Sequence, residues 1–271
     1  MARLKVILKY VAALGATALF VFPLAWMFLT SVKPRVDVFA KPPVFIFTPT
    51  FDNYSRVLDS EFMLQLLNSA IIAGISTAFS LTLGALAAYG FSRYGRFKRV
   101  DNLLFWILSL RMLPPIAVVV PFYILLRWAH LFDTRFALIM IYSIFNISFA
   151  VWLLKGFFDE IPPQLEESAM LEGHSPPVVF LRVALPMVRA GLATTAAFCL
   201  IQSLNEFLLA LLLTDVDAVT APVGLANFQR YFGLEWGQFA AAATIFVVPI
   251  ILFTVLVRHH LVRGMSFGRM G

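Results

Sequence analysis

The feature that most constrains this chain is a series of long runs that carry one charge at most. They are Tyr10–Val32, Phe62–Ser92, Asn102–Leu126, Phe136–Leu154, Ala190–Thr214 and Trp236–Val257, each 19 to 31 residues long, and only Arg111 and Glu206 interrupt them. About 20 apolar residues of helix cross the roughly 30 Å of a bilayer's hydrocarbon, where backbone polar groups must be satisfied within the chain. The runs predict an all-α integral membrane protein with six transmembrane helices, over about 10–32, 66–92, 102–126, 136–158, 188–213 and 237–260, in one transmembrane domain. Composition agrees: 61% hydrophobic and 13% charged residues, with a mean hydropathy of +0.86, exclude an ordinary soluble domain.

Lys and Arg set the expected orientation. With the N-terminus in the cytoplasm, thirteen of the 21 fall in inside segments, seven fall outside, and Arg111 lies within a span. The bias favours both termini inside, which places the polar loop 159–187 in the cytoplasm. The net charge of +6 then reads as topology, and no aromatic and basic interleaving points to nucleic acid.

In chain order, a short basic arm precedes the first run. That run is longer than a signal peptide's apolar core and no small-residue cleavage site follows it, so a retained helix is expected. Residues 33–61, rich in proline and aromatics, are expected as a compact outside segment where a receptor could dock. The second run is rich in small residues, among them Ala73, Gly74, Ser76, Gly84, Ala85 and Ala88, which let membrane helices approach backbone to backbone. The third holds Pro114, Pro115 and Pro121 beside Arg111. A charge at mid-bilayer costs about 2.5 to 3.5 kcal/mol, so Arg111 should face the bundle interior, a cavity or a partner, either as a structural ion pair or on a pathway.

The fourth run places Tyr142, Asn146 and Phe149 at helical spacing, and the fifth places Gln202, Asn205 and Glu206 on one face. The two stripes could line one path. Asn146 and Gln202 serve equally well as interhelical hydrogen-bonding groups. Glu206, being charged, is with Asn205 the best candidate within the spans for a solute or gate position. The single cysteine, Cys199, allows no internal disulfide or thiolate metal cluster, and His130, His174, His259 and His260 match no metal-ligand spacing. There is no GxxxxGK[ST] phosphate loop and no catalytic arrangement of serine, cysteine or carboxylates, so the chain should not itself bind or hydrolyse ATP.

The stretch from Pro162 to Pro186 is a polar island in this apolar sequence. Pro162 and Pro163 suit a helix's first turn, Gln164 to Glu172 are good helix formers, and Gly173 suits a left-handed stop. Ser175 can cap a second helix, Pro176 can take its first position, and Pro186 should end it near Leu185. Glu166, Glu167 and Glu172 make one side acidic, while Ser168 and Ala169 leave a face that another backbone can approach. Such a helix-turn-helix fits a groove on a partner.

The order Glu167, Ser168, Ala169, three residues, Gly173, nine residues, Val183, one residue, Leu185, Pro186 resembles the "EAA" coupling loop of bacterial ABC importer permeases, with Ser168 in place of Ala and Val183 in place of the common Ile. Further segments look the same way: RMLPPIAVVVPFYIL, LFDTRFALIMIY, QSLNEFLLALLLTD, TAPVGLANFQRYFGLEWGQFAAAA and HHLVRGMSFGRMG resemble the second-subunit, MalG-like permease of the maltose-type carbohydrate-uptake branch. The resemblance covers Asn68 to Gly271, with a core permease unit at 66–260. It implies the type I ABC importer permease fold in a bacterial inner membrane, with a cytoplasmic coupling helix.

It also implies partners: a second related permease, two cytoplasmic ATPase subunits that bind the ATP and Mg, an extracytoplasmic sugar-binding protein, and a carbohydrate solute, in a lipid membrane. By position, Glu167, Ala169 and Gly173 would enter the ATPase cleft. The loop with Asn227, Phe228, Gln229 and Tyr231 would approach the binding protein. The tail from Arg263 would run along the ATPase pair, although Met270 replaces the Lys often found before the final Gly. A polyol or glycerophosphodiester is the alternative solute. A secondary transporter would explain six spans but would not need the acidic island, and a membrane enzyme would need cofactor ligands that the spans lack.

Overall fold

The computed structural model describes residues 2–94, 98–231 and 235–266. The helices are α1 (Ala2–Ser31), α2 (Arg35–Val38), α3 (Asp52–Leu58), α4 (Phe62–Tyr94), α5 (Lys98–Ser109), α6 (Pro115–Trp128), α7 (Arg135–Asp159), α8 (Pro163–Leu171), α9 (Pro176–Val179), α10 (Leu185–Met187), α11 (Arg189–Leu204), α12 (Leu208–Leu213), α13 (Ala221–Tyr231) and α14 (Trp236–Ser266). A 3₁₀ turn, Leu110–Met112, follows α5, and a π-helical turn, Phe180–Ala184, joins α9 to α10. Among the described residues, four helices are long and apolar enough to cross a membrane alone, within α1, α4, α7 and α14, and two bent pairs bring the number to six.

The second bent pair, Pro176–Met187 with Arg189–Leu204, takes in residues expected in the loop 159–187, and neither 102–126 nor 188–213 is the continuous helix expected. Asn102–Met112 and Pro115–Trp128 meet at 94°. Two successive prolines, Pro114 and Pro115, remove two donors and force Leu113 and Pro114 into extended backbone. The fifth span stops at Leu204 and resumes only at Leu208. At the break the Asn205 side chain turns back to donate to Ile201 O at 2.8 Å, and Glu206 Oε1 accepts the amide of Leu209, in the first turn of α12, at 3.0 Å.

The described residues of 1–64 and 224–249 form one compact unit, and those of 65–223 and 250–271 a second. In the first, the Asn53 amide donates to Ser31 O and Lys33 O at 2.9 and 3.0 Å and so closes the end of α1. Lys33 is buried there, donating to Val44 O and lying over the Trp26 and Phe47 rings.

The second unit is organised by α7. One apolar cluster gathers on its first half around Leu138, Ile141, Leu209 and Leu213, and another on its second half around Leu154, Phe158, Phe180 and Ala184. Helix α4 packs along α7 at backbone distance, as its small residues predict: a Cβ on Gly84 would lie 2.5 Å from that of Ala150. Buried polar side chains add direction. Asn68 donates to Asp217 O and Val219 O, Ser69 Oγ accepts from Ala221 N, and Ser80 donates to Ser143 O.

Asp133 closes the turn between α6 and α7 in a left-handed conformation, φ 56. Its carboxylate accepts the amides of Asp215, Val216, Asp217 and Ala218, all at 2.9–3.0 Å. Burial works against this charge, but the four amides outweigh it and hold the carboxyl below the usual aspartate range. A depressed pKa means stability that is present above the unfolded pKa and lost as pH falls through the folded one. Replacing Asp133 by Ala should destabilise the second unit by about 2 kcal/mol. In detergent thermal unfolding, the Tm gap between the wild type and Asp133→Asn should hold from neutral pH to about 4 and close below it; a gap that widens in acid would contradict the assignment.

Candidate functional site

Helix α8 forms where the sequence places it, entered by Pro162 and Pro163 and ended by Gly173 at φ 92. Gly173 N donates to Met170 O at 3.0 Å and His174 N to Ala169 O at 3.2 Å, the paired bonds of a left-handed helix stop. Two expectations for the second helix fail. The Ser175 side chain makes no capping bond. The geometry expected before Pro186 is also absent: Leu185 stays helical at φ −62, ψ −43 and donates to Phe180 O, so the chain has opened to a π turn and the helix runs on to Met187, two residues past the expected end. The wider turn shifts the carbonyl that a proline ring would strike, and the bend of 77° comes after Met187.

The α8 surface is mostly bare. Glu167, Ser168 and Gly173 are exposed, Ala169, Val183 and Leu185 are half-buried, and Pro186 is exposed. Leu165, Met170 and Leu171 also face outward, Leu171 at 89%. Among the described residues, the single buried residue of α8 is a charged one, Glu166, 3% exposed.

Glu166 is held from the end of α4. Arg93 donates to its two oxygens at 2.6 and 3.0 Å, and Tyr89 Oη donates to Oε2 at 2.7 Å. Burial opposes the charge, but these donors outweigh it and keep the carboxyl below its ordinary range. Around the pair, Arg93 Nη1 donates to Ser92, Ser92 donates to Asp159 at 2.6 Å, and Lys155 pairs with Asp159 at 2.6 Å. The Tyr89 ring packs on Phe158 and Phe180. The sequence places Glu166 with Glu167 and Glu172 on an acidic partner-facing side, but Glu166 is buried against Arg93 and Tyr89, to which the sequence assigned no such role. The one signal for them was pairwise: a basic residue just past one apolar run and an acidic one at the start of the polar island.

A second place of interest is a cavity of about 120 Å³ lined by Arg111, Leu113, Pro115, Tyr142, Phe145, Asn146, Gln202, Ser203, Glu206 and Leu209. The broken third span delivers Arg111, whose guanidinium lies 4.5 Å over the Phe149 ring and donates to Gln202 Oε1 at 3.2 Å. Among the described residues no carboxylate pairs with Arg111 within 4.0 Å, although Glu206 lines the same cavity. The Tyr142 hydroxyl, on a residue 3% exposed, has no hydrogen-bond partner among the described residues. Asn146 donates to Ser203 at 2.7 Å, and Ser203 contacts Ser76 at 3.3 Å.

Five of the six expected pathway residues thus share one cavity. Asn205 does not: at the end of α11 its side chain turns back along the helix to donate to Ile201 O. Ser203, the hub between Ser76 and Asn146, went unnoticed because a serine in a span carries no charge or bulk, though it sits three residues before Glu206.

Asn227, Phe228, Gln229 and Tyr231 lie on α13. Phe228, expected at a contact surface, is 6% exposed and stacks edge-to-face on Phe62 at 5.7 Å, so it is core. Asn227 is half-buried. The side chains of Gln229 and Tyr231 lie outside the described residues.

Comparison with known proteins gives these arrangements a context. The family described as binding-protein-dependent transport system inner membrane component matches residues 80–267. The trehalose transport system permease protein SugB of Mycobacterium tuberculosis is 36% identical over 91% of this chain and 90% of its own. The trehalose/maltose transport system permease protein MalG of Thermococcus litoralis is 33% identical over 98% of this chain and 96% of its own. Among solved structures, a bacterial ABC transporter involved in import of the acidic polysaccharide alginate superposes with a TM-score of 0.79 at 21% identity, covering 95% of this chain and 96% of that one.

The left-handed stop is testable by itself. A Cβ on Gly173 meets nothing within 4 Å, so substitution strains only the backbone. Gly173→Ala should cost about 1 kcal/mol and speed amide exchange across 169–174 about fivefold, with Gly173→Asn milder. Equal exchange in wild type and Gly173→Ala would show that the turn does not depend on glycine.

Proposed function

The chain belongs to the binding-protein-dependent transport system inner membrane components, and we propose that it is one permease subunit of an ATP-driven importer for a carbohydrate, a di- or oligosaccharide. Its working partners in this reading are a second, related permease, two cytoplasmic ATPase subunits and an extracytoplasmic binding protein. Both termini and α8 face the cytoplasm, in keeping with the Lys and Arg bias. ATP and Mg bind to the ATPase subunits, and this chain contributes no catalytic group.

The observation that carries the solute pathway is the cavity, where, among the described residues, Arg111 and Glu206 face a common space without pairing and the Tyr142 hydroxyl is left unsatisfied. In an apolar bundle such groups are expensive unless something polar visits them. A sugar ring offers both donors and acceptors: the Arg111 guanidinium and Gln202 amide can donate to hydroxyl oxygens, and the free oxygen of Glu206 can accept. The names of the sugar-transporting relatives support the solute class. Alternating access supplies the cycle: closure of the ATPase pair moves α8, the permeases rock, the cavity opens outward for sugar released by the binding protein, and hydrolysis resets it.

Uptake of labelled mono-, di- and trisaccharides and polyols, in cells carrying the wild type, the deletion, Glu167→Lys or Glu206→Ala, tests this reading. One saccharide's uptake should vanish in the deletion and in Glu167→Lys with the complex still assembled. Glu206→Ala should lower it about tenfold or more. If a polyol is the dependent solute, the sugar assignment falls. If no saccharide or polyol depends on the chain, the sugar assignment is withdrawn and the importer architecture stands on the family match.

A further inference from the structure

The contacts of α8 raise a mechanical question. It exposes its apolar residues Leu165, Met170 and Leu171, and its one buried residue among those described is Glu166. A helix attached by an apolar face can slide and roll, because dispersion contacts are non-directional. One held by a guanidinium fork cannot roll freely, since two parallel N–H···O bonds fix orientation as well as distance. Glu166 also sits in the first turn of α8 and Arg93 in the last turn of α4, the ends at which each charge is favoured by the helix dipole. The Tyr89 hydroxyl fills a further acceptor site of the carboxylate, and its ring is wedged between Phe158 and Phe180.

From this joint α4 runs back to the cavity. Ser76, on α4, contacts Ser203, which accepts from Asn146, and Ser203 and Asn146 both line the cavity. Close packing of Gly84 on Ala150 keeps α4 and α7 moving together. We infer that the Arg93–Glu166–Tyr89 cluster is the joint through which displacement of α8 is transmitted to α4, and through α4 to the cavity. All three are positioning residues: they contact neither nucleotide nor solute. The inference rests on the importer reading above, and goes beyond it by placing the transmission at Glu166, inside the chain, and not at the exposed Glu167.

The test uses the complete transporter in proteoliposomes with its binding protein, measuring solute imported and ATP hydrolysed together. Arg93→Lys keeps the charge and loses the fork, and Glu166→Gln keeps the shape and loses the charge. Each should leave the complex assembled and its ATP hydrolysis within about twofold of wild type, while solute imported per ATP falls about tenfold. The double variant should fall no further than the worse single one, as expected for one shared interaction. Tyr89→Phe should give a smaller drop in the same ratio. A purely structural role would lower transport and hydrolysis in step, and an unchanged ratio in both single variants overturns the inference. Failure to assemble in both would likewise overturn it, since the cluster would then be a folding element. Solute uptake by the wild type that needs no ATP would instead remove the importer reading on which the joint depends.

Discussion

Inside an apolar bundle a backbone group that loses its helical partner has no water to turn to, and the breaks in this chain are shaped by that rule. Where the fifth span stops, Glu206 accepts the Leu209 amide. Where α12 gives way to α13, the exposed turn is gathered by Asp133, and its deeper end by Asn68 and Ser69. Where Pro186 withholds a donor, the helix opens to a π turn and stays continuous. The polar residues that stand out in the spans are therefore doing two kinds of work. Glu206 shows both at once, with one carboxylate oxygen spent on the backbone and the residue still lining the cavity.

Helix α4 connects these places. Its small residues bring it to backbone distance of α7 at Gly84, and its serines and asparagine meet α7, α11 and the 217–221 segment. A helix fastened at many points along its length behaves as a rod, and a rod carries a push from one end to the other. Ser76 on this helix touches Ser203 in the wall of the cavity, which is lined at the bend of the third span by Arg111, Leu113 and Pro115.

Much of this was legible in the sequence because the governing signals are local and strong. Charge-free length marks helices, and Pro162, Pro163 and Gly173 mark the ends of α8 through backbone rules that need no tertiary context. Tyr142, Asn146 and Gln202 met at one cavity because helical spacing holds as long as the helix does. Asn205 was lost because its side chain turns back along the helix to Ile201 O. Whether two consecutive prolines kink a span or turn it by 94° depends on what is available to receive the freed backbone, and the same holds for Pro186. Glu166 and Glu167 are neighbours of identical chemistry, and only the position of Arg93, 73 residues away, makes one buried and the other bare. Burial of Phe228 likewise depends on Phe62, far off in sequence.

The grip of Asp133 has a consequence for how this molecule tolerates change. Its carboxylate holds Asp215, Val216, Asp217 and Ala218 by their amides alone, and the side chains of the first three stay exposed. The shape of that turn is thus written in one residue, and its surface chemistry in others. Three adjacent positions can be rewritten, in charge or in bulk, without loosening the turn that displays them. An engineer wishing to retune what the tip meets has a ready-made mounting, provided that none of the four becomes proline.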